Sequence, residues 1–187
     1  MRIISGSLKG KKIFEPKDKS TRPLKDLVKE SIFNIIKHSN LTKFKIENSL
    51  VLDLFAGVGS FGLECLSRGS LKVFFIESYP AALSILKKNI DNLDFGNKSE
   101  IIEDDIFSNY ALNCIEDKFD IIFMDPPYKE KKLDELTKKI IKKDLLKKNG
   151  LLIIHRHKKE KTNFTKDFKI LREETYGISK IIFCENS

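Results

Sequence analysis

Asp125-Pro126-Pro127-Tyr128 directly follows the run 120–124, which is apolar from Ile121 to Met124. These residue types suit one kind of chemistry, the readying of an exocyclic amine for a new bond. Such an amine is a poor nucleophile because its lone pair is delocalised. The Asp125 carboxylate and the Pro126 carbonyl are two acceptors for its two N–H bonds, which turns the lone pair outwards. Pro126 and Pro127 stiffen the backbone so that both acceptors are aimed beforehand, a matter of orientation and electrostatic preorganisation. Proline also lacks an N–H that would compete for the Asp125 side chain. Tyr128 offers a face to an extruded base, worth roughly 1–3 kcal/mol of stacking. Asp125 need not be a strong base, because the proton leaves during or after the transfer, to Asp125 or to water.

A second constellation lies upstream. Gly57-Val58-Gly59-Ser60-Phe61-Gly62 has GxGxxG spacing directly after an apolar run. Glycines there allow a tight turn and a close ligand, and the helix that follows receives a negative group at its amino end. NAD, flavin and S-adenosylmethionine binders share this pattern. Asp53, four residues earlier, would repel a pyrophosphate and would suit the cationic methionine moiety of S-adenosylmethionine. Glu77 ends the next apolar run and suits a pair of ribose hydroxyls, for NAD as well as for S-adenosylmethionine. Asp105 is a candidate acceptor for an adenine amino group, with Asp104 beside it as a rival.

These residues need a scaffold that presents them together. From residue 50 onwards short apolar runs alternate with helical segments. Strands are expected over 50–55, 72–76, 100–103, 120–124 and 151–154. Helices are expected over 60–68 with Gly69 as the stop, from Pro80 to about 93, over 106–115, and over 133–148 closed by Asn149-Gly150. Residues 168–176 and 178–184 read as a β-hairpin about Gly177. This alternation predicts an α/β fold, a mostly parallel sheet with helices on both faces. Ligands of such sheets sit outside the carboxyl ends of the strands, where Asp53, Glu77, Asp105 and Asp125 all fall. Ahead of the sheet, residues 1–20 read as two short strands around Gly6 and Gly10. Thr21-Arg22-Pro23 then opens an amphipathic helix of roughly four turns, ending near 38–40, with Leu24, Leu27, Val28, Ile32, Ile35 and Ile36 at helical spacing.

The chain has 187 residues, with 35 Lys and Arg against 27 Asp and Glu. Residues 1–45 hold 12 cations and 4 acids, and residues 46–187 hold 23 of each, so the whole excess lies at the head. The expected organisation is a basic extension, 1–45, on a domain, 46–187. A neutral body with a basic head suits a polyanion gripped at one end. Arg2, Lys9, Lys11, Lys12, Arg22 and Lys25 are its candidate contacts. The nine lysines from 129 to 148 are interleaved with acids and read as a solvated helix face. Cys65, Cys114 and Cys184 are too scattered for a zinc ribbon, a CxxC centre or a disulfide scaffold. His155 and His157 lack further ligands, so no metal is expected. No apolar run nears the ~20 residues of a membrane span, and the start lacks a secretory layout. A cytoplasmic monomer is expected.

The motifs together resemble the RsmD family, the bacterial 16S rRNA guanine(966)-N2 methyltransferases. The resemblance rests on Met1-Arg2-Ile3-Ile4-Ser5-Gly6, Thr21-Arg22-Pro23, the run from Val28 to Ile35, the run from Val51 to Glu64, Phe75-Ile76-Glu77 and Asp125-Pro126-Pro127-Tyr128. It implies a class I S-adenosylmethionine-dependent methyltransferase fold, Rossmann-like, with seven strands of which one is antiparallel. It implies methyl transfer to a guanine N2 of 16S rRNA on an assembling or assembled small ribosomal subunit. Asp53, Phe55, Ala56, Gly57, Gly59 and Glu77 fall in the cofactor site and Asp125 to Tyr128 at the target base. The sequence departs from the family pattern at Leu24, at Lys29 in place of Arg, and at His155-Arg156-His157 in place of an acid at the fifth strand's end.

Other readings stay open on the residues alone. The same acceptor geometry serves DNA adenine and protein glutamine. An NAD-linked oxidoreductase would share the glycine loop, but Asp53 and the Asp125 corner count against it. A non-catalytic RNA-binding factor would have no use for an intact Asp125 corner.

Overall fold

The computed structural model describes residues 1–16, 24–39, 45–108, 110–127, 129–160 and 168–186. Its elements in chain order are α1 (Asp26–His38), β1 (Leu50–Leu54), α2 (Ser60–Ser67), β2 (Lys72–Ile76), α3 (Pro80–Asn92), β3 (Ser99–Ile102), β4 (Phe119–Met124), α4 (Leu133–Lys142), β5 (Leu146–His157), β6 (Phe168–Tyr176) and β7 (Ser179–Asn186). A single 3-10 turn, Gly96–Lys98, precedes β3. The seven strands form one sheet in the order β3-β2-β1-β4-β5-β7-β6. The first five are parallel, and β7 lies antiparallel between β5 and β6. This is the seven-stranded arrangement that the resemblance implies. Among the described residues, no helix is long and apolar enough to cross a membrane.

The apolar strands split by their two-residue period into two cores. Val51, Phe75, Phe123 and Ile153 face one layer, with α1, α2 and α3. Leu52, Phe74, Ile122 and Ile154 face the other, with α4 and the segment around Leu112. In the first layer a stack of rings runs from the head to the sheet. Phe33 of α1 lies 5.2 Å from Phe61 of α2, and Phe61 lies 4.0 Å from Phe123 of β4. Each such pair contributes about 0.5–1.5 kcal/mol beyond its buried area.

The head is seated on α2 and shares its core. Glu64, fully buried, accepts from the Ile4 N–H at 2.7 Å and the Ser5 N–H at 3.0 Å. Ser67 donates to the Ser5 carbonyl at 2.7 Å and accepts from the Leu8 N–H at 3.1 Å. Gly6 has φ +89°, and a Cβ there would lie 1.9 Å from the Ser67 carbonyl oxygen. Only glycine permits that approach. These contacts explain why the two expected head strands reduce to one antiparallel bridge, Arg2 with Lys12. The amides of Ile4, Ser5, Ser7 and Leu8 bond α2, while those of Ile3 and Gly10 still bond across the head.

Four other expectations need correction. The head helix starts at Asp26, after an extended Lys25, and Leu27 of its expected apolar set is 67% exposed; the expected start at Thr21-Arg22-Pro23 lies outside the described residues. The helix expected over 106–115 is absent among the described residues there, which form turns. Side chains take its backbone donors: Asp105 accepts from the Phe107 N–H, and Ser108 accepts from the N–H groups of Tyr110 and Ala111. Asp and Ser compete with helical carbonyls in this way. The helix expected to reach residue 148 ends at Lys142, and β5 already begins at Leu146. Asp144 takes the left-handed conformation, and buried Leu145 gives its carbonyl to the Phe119 N–H at 2.8 Å. Asn149-Gly150 therefore stops no helix. It lies where the pairing of β4 with β5 shifts register, with Asn149 at φ 65°.

Candidate active site

A cleft of about 560 Å³ opens at the carboxyl ends of β1, β2 and β4. Asp53, Phe55, Ala56, Gly57, Glu77, Asp105, Asp125, Pro126 and Pro127 all line it. The parallel register accounts for this meeting. Leu54 pairs with both Ile76 and Met124, so the residues after β1, β2 and β4 emerge side by side. Tyr128 and Arg22 lie outside the described residues.

Asp53 is 1% exposed and accepts one N–H, from Gly62 at 3.0 Å. Burial holds its carboxyl well above the ordinary range. The charges of Asp125 and Glu77 push the same way, and the Gly62 bond opposes them. Glu77 accepts from the Gly57 N–H at 2.7 Å on one oxygen, and from the Ser78 and Tyr79 N–H groups at 2.9 and 2.8 Å on the other. Its carboxylate thereby ties the glycine loop to the end of β2.

The loop makes a tight turn, with the Gly59 N–H donating to the Ala56 carbonyl at 2.8 Å. Phe55, Gly57 and Gly59 all have positive φ, at 62°, 58° and 84°. For Phe55 this is a strained conformation at the cleft wall. A Cβ at Gly57 would meet open space, whereas one at Gly59 would lie 2.5 Å from Leu86 Cδ1. Gly59 thus faces α3 and does not line the cleft; its role is to let the loop pack on that helix. Beside the loop, Phe107 lies 6.0 Å from Phe55 with the Lys132 ammonium 5.3 Å from its ring centre.

At the other wall, Asp125 Oδ1 is 2.7 Å from Nδ1 of His155. Arg156, 4% exposed, donates to the Pro127 carbonyl at 3.3 Å and the Glu130 carbonyl at 3.2 Å. The sequence marks His155-Arg156-His157 as a departure from the family pattern at the end of the fifth strand but gives neither His155 nor Arg156 a role in the site.

Of the basic head residues, Arg2, Lys9, Lys11, Lys12 and Lys25 are exposed, and none lines the cleft. Leu24, just before α1, does line it. Lys29 is fully buried, with its ammonium donating to the Arg2 carbonyl at 2.8 Å and 3.7 Å from Glu64. Burial lowers its pKa, and the charges of Glu64 and Asp26 counter that.

The family described as "Conserved hypothetical protein 95" matches residues 1–185. The chain is 36% identical to the "Putative rRNA methyltransferase YlbH" of Bacillus subtilis, over 97% of this chain and 96% of the relative. It is 31% identical to the ribosomal RNA small subunit methyltransferase D of Haemophilus influenzae, over 95% of this chain and 90% of the relative. A solved Escherichia coli structure, "Putative methyltransferase yhhF", superposes with a TM-score of 0.81 at 25% identity, covering 100% of this chain and 98% of the other. A Salinibacter ruber RNA methyltransferase in complex with S-adenosyl-L-homocysteine superposes at 0.63 and 11% identity, covering 87% and 92%, a likeness of fold alone.

Proposed function

The chain belongs to the family described as conserved hypothetical protein 95, together with the ribosomal RNA small subunit methyltransferases D, and on that premise we propose that it is an S-adenosylmethionine-dependent rRNA methyltransferase. Its target is the exocyclic N2 of a guanine in 16S rRNA, guanine 966, on an assembling small ribosomal subunit. It works in the cytoplasm, as a monomer. The observation that carries this reading is the cleft itself, which gathers Asp53, Glu77 and Asp125 from three strand ends.

The residues present fit the cofactor. Asp53 is a buried carboxylate with acidic neighbours and a single amide bond, a place for the methionine ammonium. Gly57 leaves open space where a side chain would intrude. Glu77 suits the ribose hydroxyls and Asp105 the adenine amine, with Phe55 and Ala56 in the wall between. Gly59 acts from behind, by letting the loop close on α3. When bound, the cofactor supplies an electrophilic methyl group on a sulfonium.

The chain's own residues prepare the amine. Asp125 and the Pro126 carbonyl accept its two N–H bonds and turn the lone pair towards the cofactor side of the cleft. Pro127 keeps that corner stiff, and Tyr128 supplies the stacking face. Asp125 or water takes the proton that the methylated nitrogen sheds. Arg2, Lys9, Lys11, Lys12, Arg22 and Lys25 hold RNA phosphates on the basic extension, 1–45, which sits on the catalytic domain, 46–187. Asp125→Ala should abolish methyl transfer to small subunits while leaving the S-adenosylmethionine Kd within about twofold. Normal turnover in that variant overturns the reading.

A further inference from the structure

β5 brings two consecutive residues to the Asp125 corner. His155 Nδ1 meets Asp125 Oδ1 at 2.7 Å, with the two side chains 7% and 19% exposed. Arg156 bonds the carbonyls of Pro127 and Glu130. Neither carbonyl is among the acceptors assigned to the amine. A His and an Arg buried at a strand end would be costly without such partners. Here every bond named ties the strand to the loop that follows β4.

Resting on the assignment of Asp125 to the target amine, we propose that His155 is the positioning residue for Asp125: its Nδ1–H holds one carboxylate oxygen so that the other faces the amine, while Arg156 fixes the backbone beyond. The carboxylate torsion of Asp is broad and nearly twofold. An unanchored Asp125 would sample many orientations, few of which accept from an amine at the Pro126 carbonyl. One N–H on Oδ1 removes that freedom before substrate arrives, which is preorganisation of the acceptor. The bonds from Arg156 to two neutral carbonyls are charge-assisted and fix where the corner's far end lies.

The role separates from mere space-filling by which atom a substitute offers. The amide nitrogen of His155→Asn sits where Nδ1 sits, that of His155→Gln reaches the place of Nε2, and His155→Leu donates nothing. Single-turnover methyl transfer to small subunits is measured for each at saturating S-adenosylmethionine, with the cofactor Kd determined separately. His155→Asn should transfer within about fivefold of the wild type, while His155→Gln and His155→Leu should be slower on the order of 10–100-fold, all with cofactor Kd within about twofold. Equal rates for the three overturn the proposal. If Asp125→Ala is inactive and His155→Leu transfers normally, this inference fails and the reading of the corner stands. If Asp125→Ala transfers normally, the reading itself fails. A readout that needs no His155 variant to fold is ¹⁵N NMR of the wild-type protein, whose three histidines are assigned by substituting His38 and His157. His155 Nδ1 should carry its proton and shift in Asp125→Asn. An unprotonated Nδ1 overturns the proposal.

Discussion

Two buried carboxylates, eleven positions apart, behave oppositely. Glu64, at the seam between α2 and the head, is surrounded by donors: two backbone amides, the Arg68 guanidinium at 2.8 Å and the Lys29 ammonium at 3.7 Å. Asp53, at the cleft, has one amide, and the charges acting on it are those of Asp125 and Glu77. Among the described residues, none that acts on Asp53 is a cation. A buried charge that is matched holds structure together, and one left unmatched is suited to a ligand that brings the opposite charge. The seam is complete by itself, whereas the cleft is completed by what it binds.

The largest expected effect would break this comparison at the seam. Glu64→Gln should lower the stability to urea by about 3–5 kcal/mol, because buried Lys29 and half-buried Arg68 lose the carboxylate they share. Unchanged stability would mean that the seam is no more matched than the cleft. Asp53→Asn should act with the opposite sign on stability. It should raise Tm by about 2–4 °C while weakening S-adenosylmethionine binding by roughly 10–100-fold, the loss of a charged hydrogen bond. The pH dependence has a definite direction. Burial raises the Asp53 carboxyl, so the folded chain keeps its proton over a pH range in which the unfolded chain has lost it. The stability due to this group is full below the ordinary carboxyl range and is lost as pH rises through the folded value. A bound ammonium favours the ionised form, so cofactor affinity should rise with pH across the same window, with proton release visible by titration calorimetry in different buffers.

Smaller effects sharpen the seam further. Gly6→Ala forces a Cβ onto the Ser67 carbonyl. It should cost about 1–3 kcal/mol, with faster amide exchange confined to the first residues of the chain. Exchange that rises equally in β1 would contradict the separate seating of the head. The smallest effect concerns the exposed cations. Each of Lys11→Ala and Lys12→Ala should lower the salt dependence of RNA binding by about one slope unit, with stability unchanged. An identical slope would remove both from the RNA face.

Much of the cleft was legible in the chain because parallel strands put successive apolar runs in register. An acid near the end of such a run, as Asp53 within β1, or just after it, as Glu77 and Asp125, reaches the same edge of the sheet. Gly57 was legible for a local reason, a turn that needs positive φ. Pairings across the sheet were not. His155 reads as the end of a strand, and nothing near it in sequence points to Asp125, thirty residues earlier. Glu64 and Lys29 look like ordinary helix charges until the head folds over α2. The end of α4 was missed because a run of lysines has no stop signal, and tertiary burial of Leu145 and Leu146 decides it. Phe55 in a left-handed conformation had no signal at all, since that strain is imposed by the loop around it.

The most direct test of the central claim is mass spectrometry of nucleosides from 16S rRNA after small subunits lacking the modification are incubated with the protein and S-adenosylmethionine. The account predicts one added methyl, on the N2 of a single guanine, and none when Asp125→Ala replaces the wild type. A methyl group on adenine or on a ribosomal protein glutamine, or no methyl from the wild-type chain, would contradict it.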